Sequence, residues 1–118
     1  MRWQPALAIG LGGIAGATVR WAAVETVPSS TSWPWATFLV NLAGCALLGW
    51  LVNSGPLTRF RLAASAGFCG SLTTFSGLAV EIADFGADER WVLAVGYAGG
   101  TIAGGLLAIV VGRALALR

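Results

Sequence analysis

The sequence predicts an all-α membrane protein in which four transmembrane helices form a single domain over residues 1–118. Hydrophobic residues make up 57% of the chain and charged residues only 10%, and the mean hydropathy is +0.79. A water-soluble globule of this composition would expose a large apolar surface. Since a spanning helix needs about 20 apolar residues, the length accommodates four spans and no separate soluble domain. The predicted spans cover residues 4–24, 35–52, 62–83 and 91–111.

The first span carries Gly12 and Gly16, a GxxxG pair that lets another helix approach closely. It ends near Arg20 and Trp21, a combination typical of an arginine that anchors a helix at the membrane interface. Arg2 followed by an apolar run also resembles a secretory signal. We favour a span, because the segment is as long as the other three and its glycines indicate a packing face.

The second span follows a polar, turn-rich loop at residues 25–34 and contains Asn41, the only amide side chain at hydrocarbon depth. A single intramembrane Asn commonly bonds two helices together. An Asn at this depth is also suited to line a polar path. Both interpretations of Asn41 remain open from the sequence.

The third span has an unusual centre. Residues 67–78 place three glycines and four hydroxyl side chains among twelve residues. Glycine is a poor helix former, and Ser and Thr offer the backbone competing hydrogen bonds. We therefore predict that the third helix is broken at mid-membrane. Irregular backbone at that depth is tolerated only inside protein or beside a polar cavity, so the break indicates an ion or substrate site.

The fourth span combines a packing surface with a polar row. Its glycine stripe, which is typical of helix packing, consists of Gly96, Gly100 and Gly104. Beside the stripe, Tyr97 and Thr101 lie one helical turn apart on one face, and Gly105 is next in that row.

Charge and cysteine usage exclude several function classes. The ionisable residues nearest the middle of any predicted span are Arg20 and Glu81, both toward span ends. Proton-coupled transporters and multidrug exchangers normally need an ionisable group at mid-membrane. Cys45 and Cys69 form no CxxC or Cys/His pattern, so we interpret them as small buried residues rather than a metal site or disulfide. A net charge of +2 gives no indication of a nucleic-acid partner.

The predicted spans offer neutral hydrogen-bond donors instead of charges. The donors are Asn41, Ser71, Thr73, Thr74, Ser76, Tyr97 and Thr101, and Phe75 adds an aromatic edge. A small anion that enters hydrocarbon loses hydration worth roughly tens of kcal/mol, so it needs replacement donors along its whole path. Donors without fixed positive charge suit rapid passage, because a buried arginine would hold the anion too tightly.

The arginine distribution predicts the orientation of the chain. Five arginines fall at the N-terminus, the second loop and the C-terminus, and these are Arg2, Arg59, Arg61, Arg113 and Arg118. Only Arg20 and Arg90 fall on the opposite side. By the positive-inside rule, this bias places both termini in the cytoplasm, with the protein in the cell membrane.

Three segments resemble those of the Fluc/CrcB fluoride-channel family. They are GGIAGATVR at residues 12–20, TFLVNLAG at residues 37–44 with Gly49, and GFCGSLTTFS at residues 67–76. The resemblance covers all four spans in order and length. It implies a fluoride channel rather than an enzyme, built as a dimer of two chains inserted antiparallel into the lipid bilayer, with two fluoride pores at the interface.

The same resemblance implies roles for particular residues. A structural sodium ion on the two-fold axis would be held by the main-chain carbonyls of Gly70 and Thr73. Two carbonyls from each chain give four oxygen ligands, and the bound ion compensates backbone groups that lipid could not satisfy. The fluoride path would comprise Asn41, Phe75, Tyr97 and Thr101, with Thr74 and Ser76 as neighbouring hydroxyls.

Two residues depart from the family pattern. Leu78 falls where the family has its second pore phenylalanine, and Gly105 falls where its polar track has a further hydroxyl. Some members of the family work as paired, non-identical subunits that share the pore residues unequally. A homodimer and a heterodimer with a second similar subunit therefore both remain open, and the arginine bias points toward the second.

Two other functions compete with this interpretation. A small four-helix drug or guanidinium exchanger relies on a carboxylate in its first span, and residues 4–24 contain none. A structural assembly protein would use the glycine stripes only to bind partners.

Overall fold

The structure is a computed structural model that describes residues 3–28, 32–56 and 58–118, and these residues contain helices but no strand. Arg2 and residues 29–31 of the first loop lie outside the described residues. The helices are α1 (Trp3–Thr26), α2 (Trp35–Asn53), α3 (Arg59–Leu62), a π-helical segment (Ala63–Cys69), α4 (Gly70–Leu72), α5 (Phe75–Ala87) and α6 (Trp91–Ala116).

Four helical stretches are long and apolar enough to cross a membrane. They are Trp3–Thr26, Trp35–Asn53, Arg59–Ala87 and Trp91–Ala116. The third stretch includes α3, the π-helical segment, α4 and α5 in succession. The predicted all-helical chain with four membrane-spanning helices is confirmed, and most of these helices run a few residues past the spans predicted from hydropathy.

Glycines set the contact between α1 and the π-helical segment. A Cβ on Gly12 would clash with the carbonyl oxygen of Ala63, and one on Gly16 would clash with that of Phe68. From the opposite side, a Cβ on Gly67 would clash with the carbonyl oxygen of Ile9. The GxxxG pair of the first span therefore makes its close approach within one chain, against the start of the third span.

A second close contact joins α2 to α6, which run in parallel. Leu42 packs beside Gly104, and further along both helices Gly49 lies against the backbone of Ile109. A Cβ on Gly112 would clash with the carbonyl oxygen of Ala46. The closest backbone contacts thus lie beyond the glycine stripe that the sequence indicated, toward the C-terminal end of α6.

The buried core lies between α5 and α6. Leu78 and Phe85 from α5 pack with Ala94 and Tyr97 from α6. Outer faces of the helices expose large apolar side chains, as expected where a helix meets lipid. Exposed tryptophans near helix ends, where an aromatic belt lies at the membrane interface, are Trp3, Trp21, Trp35, Trp50 and Trp91.

The α1 contact can be tested by adding one methyl group. We expect Gly16→Ala to lower the free energy of unfolding by about 1–3 kcal/mol, because the new methyl would clash with rigid backbone. Gly10→Ala in the same helix is the matched control, since its Cβ would meet no atom of another described helix within 4 Å. Replacing an exposed helical glycine by alanine stabilises by about 0.5–1 kcal/mol. Thermal unfolding in detergent should therefore shift in opposite directions for the two variants, and equal shifts would contradict the packing described.

Candidate functional site

The third span contains two residues with extended backbone between α4 and α5. Thr73 has φ −79° and ψ 150°, and Thr74 has φ −143° and ψ 124°. The helix that ends at Leu72 resumes at Phe75. The interruption falls within residues 67–78, whose glycine and hydroxyl content disfavours a continuous helix.

Asn41 on α2 bonds both backbone groups of Thr74. Its Nδ2 donates to the Thr74 carbonyl at 3.1 Å, and the Thr74 N–H donates to its Oδ1 at 2.7 Å. The side-chain amide thus takes the place of the helical partners that this backbone lacks. An amide nitrogen carries two hydrogens, so Asn41 has one further donor beyond this pair. Asn41 therefore links α2 to the third span and keeps one N–H that the bonds to Thr74 do not use.

Two hydroxyls stabilise the ends of the interruption. The Thr74 hydroxyl accepts from the Gly77 N–H at 3.0 Å and so caps the start of α5. The Thr73 hydroxyl donates to the Cys69 carbonyl at 3.0 Å, and the Thr73 N–H donates to the same oxygen at 3.1 Å. The N–H groups and the hydroxyls of Thr73 and Thr74 therefore all take part in hydrogen bonds.

The same bonds release two carbonyls from the helical pattern. In a continuous α-helix, the carbonyls of Gly70 and Thr73 would accept from the N–H groups of Thr74 and Gly77. Those N–H groups instead donate to Asn41 and to the Thr74 hydroxyl. Gly70 and Thr73 line one groove of about 440 Å³, and Gly70 is exposed. Carbonyl oxygens are the ligand type that hard cations take.

Most of the predicted fluoride-path residues line a second open groove, of about 290 Å³. Its polar and aromatic lining consists of Asn41, Cys45, Thr73, Thr74, Phe75 and Thr101, and its wall also includes Leu78 and Gly105. Thr101 is only 6% exposed, and its hydroxyl has no hydrogen-bond partner among the described residues. Phe75, by contrast, is 79% exposed. The groove thus combines a buried, unpartnered donor with an aromatic ring exposed in the single chain.

Leu78 belongs to the groove and to the core at once. Its side chain is 5% exposed and packs in the cluster with Phe85, Ala94 and Tyr97. A bulkier aromatic ring at position 78 would need additional space within this close-packed cluster. The departure at this position therefore fits the packing of this chain.

Tyr97 lies away from the groove, in a hydrogen-bonded cluster with Glu81 and Thr37. The Tyr97 hydroxyl donates to Glu81 Oε2 at 2.5 Å, and the Thr37 hydroxyl donates to Glu81 Oε1 at 2.6 Å. The Tyr97 ring packs edge-to-face on Trp33 and Phe85, with ring centroids 5.1 and 5.8 Å away. The Tyr97/Thr101 row predicted for α6 is therefore divided between two environments.

Glu81 and Thr37 belong to a polar cluster that the sequence did not single out. Glu81 lies toward a span end, so it counted only as the limit of the uncharged region. The sequence did contain one indication of the cluster. Thr37 precedes Asn41 by one turn on α2, and Tyr97 precedes Thr101 by one turn on α6 in the same way. These two polar rows face each other across the parallel α2 and α6 pair.

The Glu81 cluster borders a cavity of about 320 Å³ near the N-terminal ends of α2 and α6. Its polar lining includes Ser32, Thr37, Glu81, Asp84 and Arg90. The Arg90 guanidinium carbon lies 5.3 Å from the centroid of the Phe85 ring, which is cation–π geometry. The cavity therefore presents charges of both signs outside the uncharged groove.

The remaining predicted site residues lie apart from the groove. Ser76 is exposed, and its hydroxyl oxygen lies 3.1 Å from that of Thr74. Arg20 is half-buried on α1, while Gly12 and Gly16 are part of the α1 packing contact. Within the described ranges, no group of three or more His, Cys, Asp or Glu residues is arranged to hold a metal ion.

The chain is similar to one known family and to proteins named as fluoride-specific ion channels. The profile of a family described as CrcB-like protein, Camphor Resistance (CrcB), matches residues 7–113. The chain is 37% identical to a protein of Chlorobium phaeobacteroides (strain BS1) named fluoride-specific ion channel FluC, over 98% of this chain and 94% of that protein. It is 41% identical to fluoride-specific ion channel FluC 2 of Rhodococcus jostii (strain RHA1), over 90% and 93% of the two chains. These names describe channels, not enzymes.

A further relative comes from Natronomonas pharaonis (strain ATCC 35678). This protein, also named fluoride-specific ion channel FluC 2, is 40% identical over 93% of this chain and 92% of its own length. Together with the four helices that can span a membrane, these similarities make the chain a multi-pass membrane protein.

The tie between Asn41 and Thr74 can be tested by deletion. We expect Asn41→Ala to lower the free energy of unfolding by about 2 kcal/mol, because it leaves the Thr74 N–H and carbonyl without partners. Asn53→Ala is the matched control, since among the described residues the Asn53 side chain donates within its own helix, to the Gly49 carbonyl at 2.8 Å. Thermal unfolding in detergent measures both effects. A shift for Asn41→Ala no larger than that for Asn53→Ala would contradict the structural role of Asn41.

Proposed function

The chain belongs to the CrcB family, and on that premise we propose that it is a fluoride-selective channel through which cytoplasmic fluoride leaves down its electrochemical gradient. The observation that carries this proposal is the uncharged groove lined by Asn41, Phe75 and Thr101. A fluoride ion in such a groove must recover by hydrogen bonding what it loses in hydration. The unpartnered Thr101 hydroxyl and the spare Asn41 hydrogen are available donors.

Phe75 contributes to the path through its ring edge. The edge of an aromatic ring carries the positive part of its quadrupole and so attracts an anion weakly. Weak attraction suits permeation, because the ion must leave each site as readily as it enters. The exposure of Phe75 in the single chain supports a position where it meets a second subunit.

Fluoride would leave through the cavity bordered by Thr37 and Glu81, which lies on the external side of the membrane when both termini are cytoplasmic. In the structure, the hydroxyls of Thr37 and Tyr97 both donate to the Glu81 carboxylate. A fluoride ion that reaches this cavity would receive a hydrogen bond from the Thr37 or Tyr97 hydroxyl, and that hydroxyl would then no longer donate to Glu81. The carboxylate thus holds the donors in place for an anion, while its charge opposes prolonged occupancy.

The channel is proposed to be a dimer of chains inserted antiparallel, with the interruption at Thr73 and Thr74 at mid-membrane. The groove is open along one side in the single chain, so a second subunit is needed to enclose it. Large exposed apolar side chains beside the groove, among them Ile102 and Leu106, are compatible with such a contact. Irregular backbone at this depth requires burial in protein, which the second subunit would supply.

A structural sodium ion fits the released carbonyls of Gly70 and Thr73. In a two-fold dimer they would supply four oxygen ligands from two chains. When bound, sodium would provide a positive charge that compensates these carbonyls at a depth where lipid offers no donor. Gly70 is exposed in the single chain and lines the 440 Å³ groove together with Thr73, which supports access of a partner to this position.

The second subunit is either another copy of this chain or a similar, non-identical chain. Leu78 offers no aromatic edge, so a partner that carries a phenylalanine at the corresponding position would complete the path. The arginine bias supports a fixed orientation and hence a pair of oppositely oriented, non-identical subunits.

The proposed function is tested by fluoride efflux from liposomes that contain the purified protein. We expect Phe75→Ile to slow efflux by about tenfold, the effect of losing roughly 1.4 kcal/mol of favourable ring contact in the rate-limiting step. Phe60→Ile is the matched control, because Phe60 on α3 is also 79% exposed but does not line the groove.

Equal efflux from Phe75→Ile and wild type would contradict the role of Phe75, and chloride efflux as fast as fluoride efflux would contradict selectivity. Fast, fluoride-selective efflux from liposomes that contain this chain alone would exclude the non-identical partner in favour of the homodimer.

A further inference from the structure

A thiol lies where the fourth helix lacks a polar side chain. Thr101 and Gly105 are one turn apart on α6, and both line the 290 Å³ groove. Because Gly105 has no side chain, the donors on α6 end at Thr101. On α2, Asn41 and Cys45 are also one turn apart, and both line the same groove. Each of the two helices therefore contributes two residues, one turn apart, to the lining of the groove.

The parallel packing of α2 and α6 places Cys45 directly beside Gly105. A Cβ added at Gly105 would lie 3.4 Å from the Cys45 sulfur, which is close van der Waals contact. The neighbouring Gly104 instead meets the side chain of Leu42. The Cys45 thiol thus lies directly beside the position that the first side-chain atom of residue 105 would take.

We propose that the Cys45 thiol donates to fluoride in place of the hydroxyl that Gly105 cannot supply. This inference rests on the proposed function and assigns the next donor after Asn41 and Thr101. A thiol is a weak hydrogen-bond donor, and a weak donor suits an ion that must move on. With Cys45 included, the lining of the groove continues for one turn beyond Thr101.

The state of Thr101 independently indicates that the groove holds a ligand. A hydroxyl buried without a partner is costly, and proteins rarely retain one without a functional reason. The Thr101 hydroxyl is such a group, within the part of the chain that the structure describes, and it lines the same groove as Cys45. The other cysteine, Cys69, is buried and lines the neighbouring 440 Å³ groove together with Gly70. Cys45 borders both grooves.

The test compares fluoride efflux from liposomes for four variants, in the assembly in which the wild-type chain conducts. We expect Cys45→Ala to slow efflux about fivefold, the effect of losing one hydrogen bond from a weak donor. Cys45→Ser keeps a donor of similar size and should conduct at a rate close to that of the wild type. Adding Gly105→Ser to Cys45→Ala should restore the rate, because it returns a hydroxyl to the groove from α6.

Gly104→Ser in the Cys45→Ala background is the matched control, since its side chain meets Leu42 rather than the groove. It should not restore efflux. Unchanged efflux in Cys45→Ala, slow efflux in Cys45→Ser, or equal rescue by Gly104→Ser and Gly105→Ser would overturn the role of Cys45.

A chemical measurement covers the case in which Cys45→Ala does not fold. Methyl methanethiosulfonate converts an accessible thiol into a methyl disulfide, which removes the donor and adds bulk. Wild-type efflux should fall after treatment, and Cys45→Ser efflux should persist. Equal sensitivity of the two proteins would overturn the inference. Absence of fluoride-selective efflux in the untreated wild-type protein would instead contradict the proposed function, so the two failures are distinguishable.

Discussion

The paired hydrogen bonds between Asn41 and Thr74 are the interaction on which the rest of the site depends. A membrane protein can leave its backbone irregular only where other groups satisfy it. One amide side chain supplies both a donor and an acceptor to Thr74. By occupying the Thr74 N–H, it also releases the Gly70 carbonyl from the helical pattern. The extended backbone at Thr74 and the release of the Gly70 carbonyl therefore depend on one contact with α2.

This arrangement separates charged from uncharged polar groups. Glu81 lies toward the end of the helices, where two hydroxyls bond it and charged side chains border the adjoining cavity. Deeper along the same helices, the groove has donors but no ionisable carboxylate or base. Charged groups therefore lie at the end of the helices that borders the cavity, and the groove beyond it offers neutral contacts. Under the proposed function, neutral contacts favour passage of an anion over its retention.

Composition and local spacing were sufficient to predict the four helices, because hydropathy depends on each segment alone. The glycines and hydroxyls of residues 67–78 likewise indicated irregular backbone, and the extended angles of Thr73 and Thr74 fall in that segment. Its depth in the bilayer stays a prediction. The roles of Phe75 and Thr101 came from family resemblance, since no spacing rule distinguishes a pore residue from apolar filler or a packed hydroxyl.

What the sequence could not show depends on packing between distant segments. Glu81 joins Thr37 and Tyr97 only because α2, α5 and α6 meet there, so Glu81 counted merely as a span-end charge. The dual use of the Asn41 amide required the position of Thr74, and the proximity of Cys45 to Gly105 required the register of α2 on α6.

The central claim is that neutral, buried hydrogen-bond donors stabilise fluoride along its path. Its most direct test is the rate of fluoride efflux through the Thr101→Val variant. This substitution removes the hydroxyl and keeps the shape of the side chain. Because that hydroxyl has no partner among the described residues, stability should be unchanged or raised. The account predicts that efflux falls about fivefold in a protein that is at least as stable as the wild type. Wild-type efflux from Thr101→Val would contradict it.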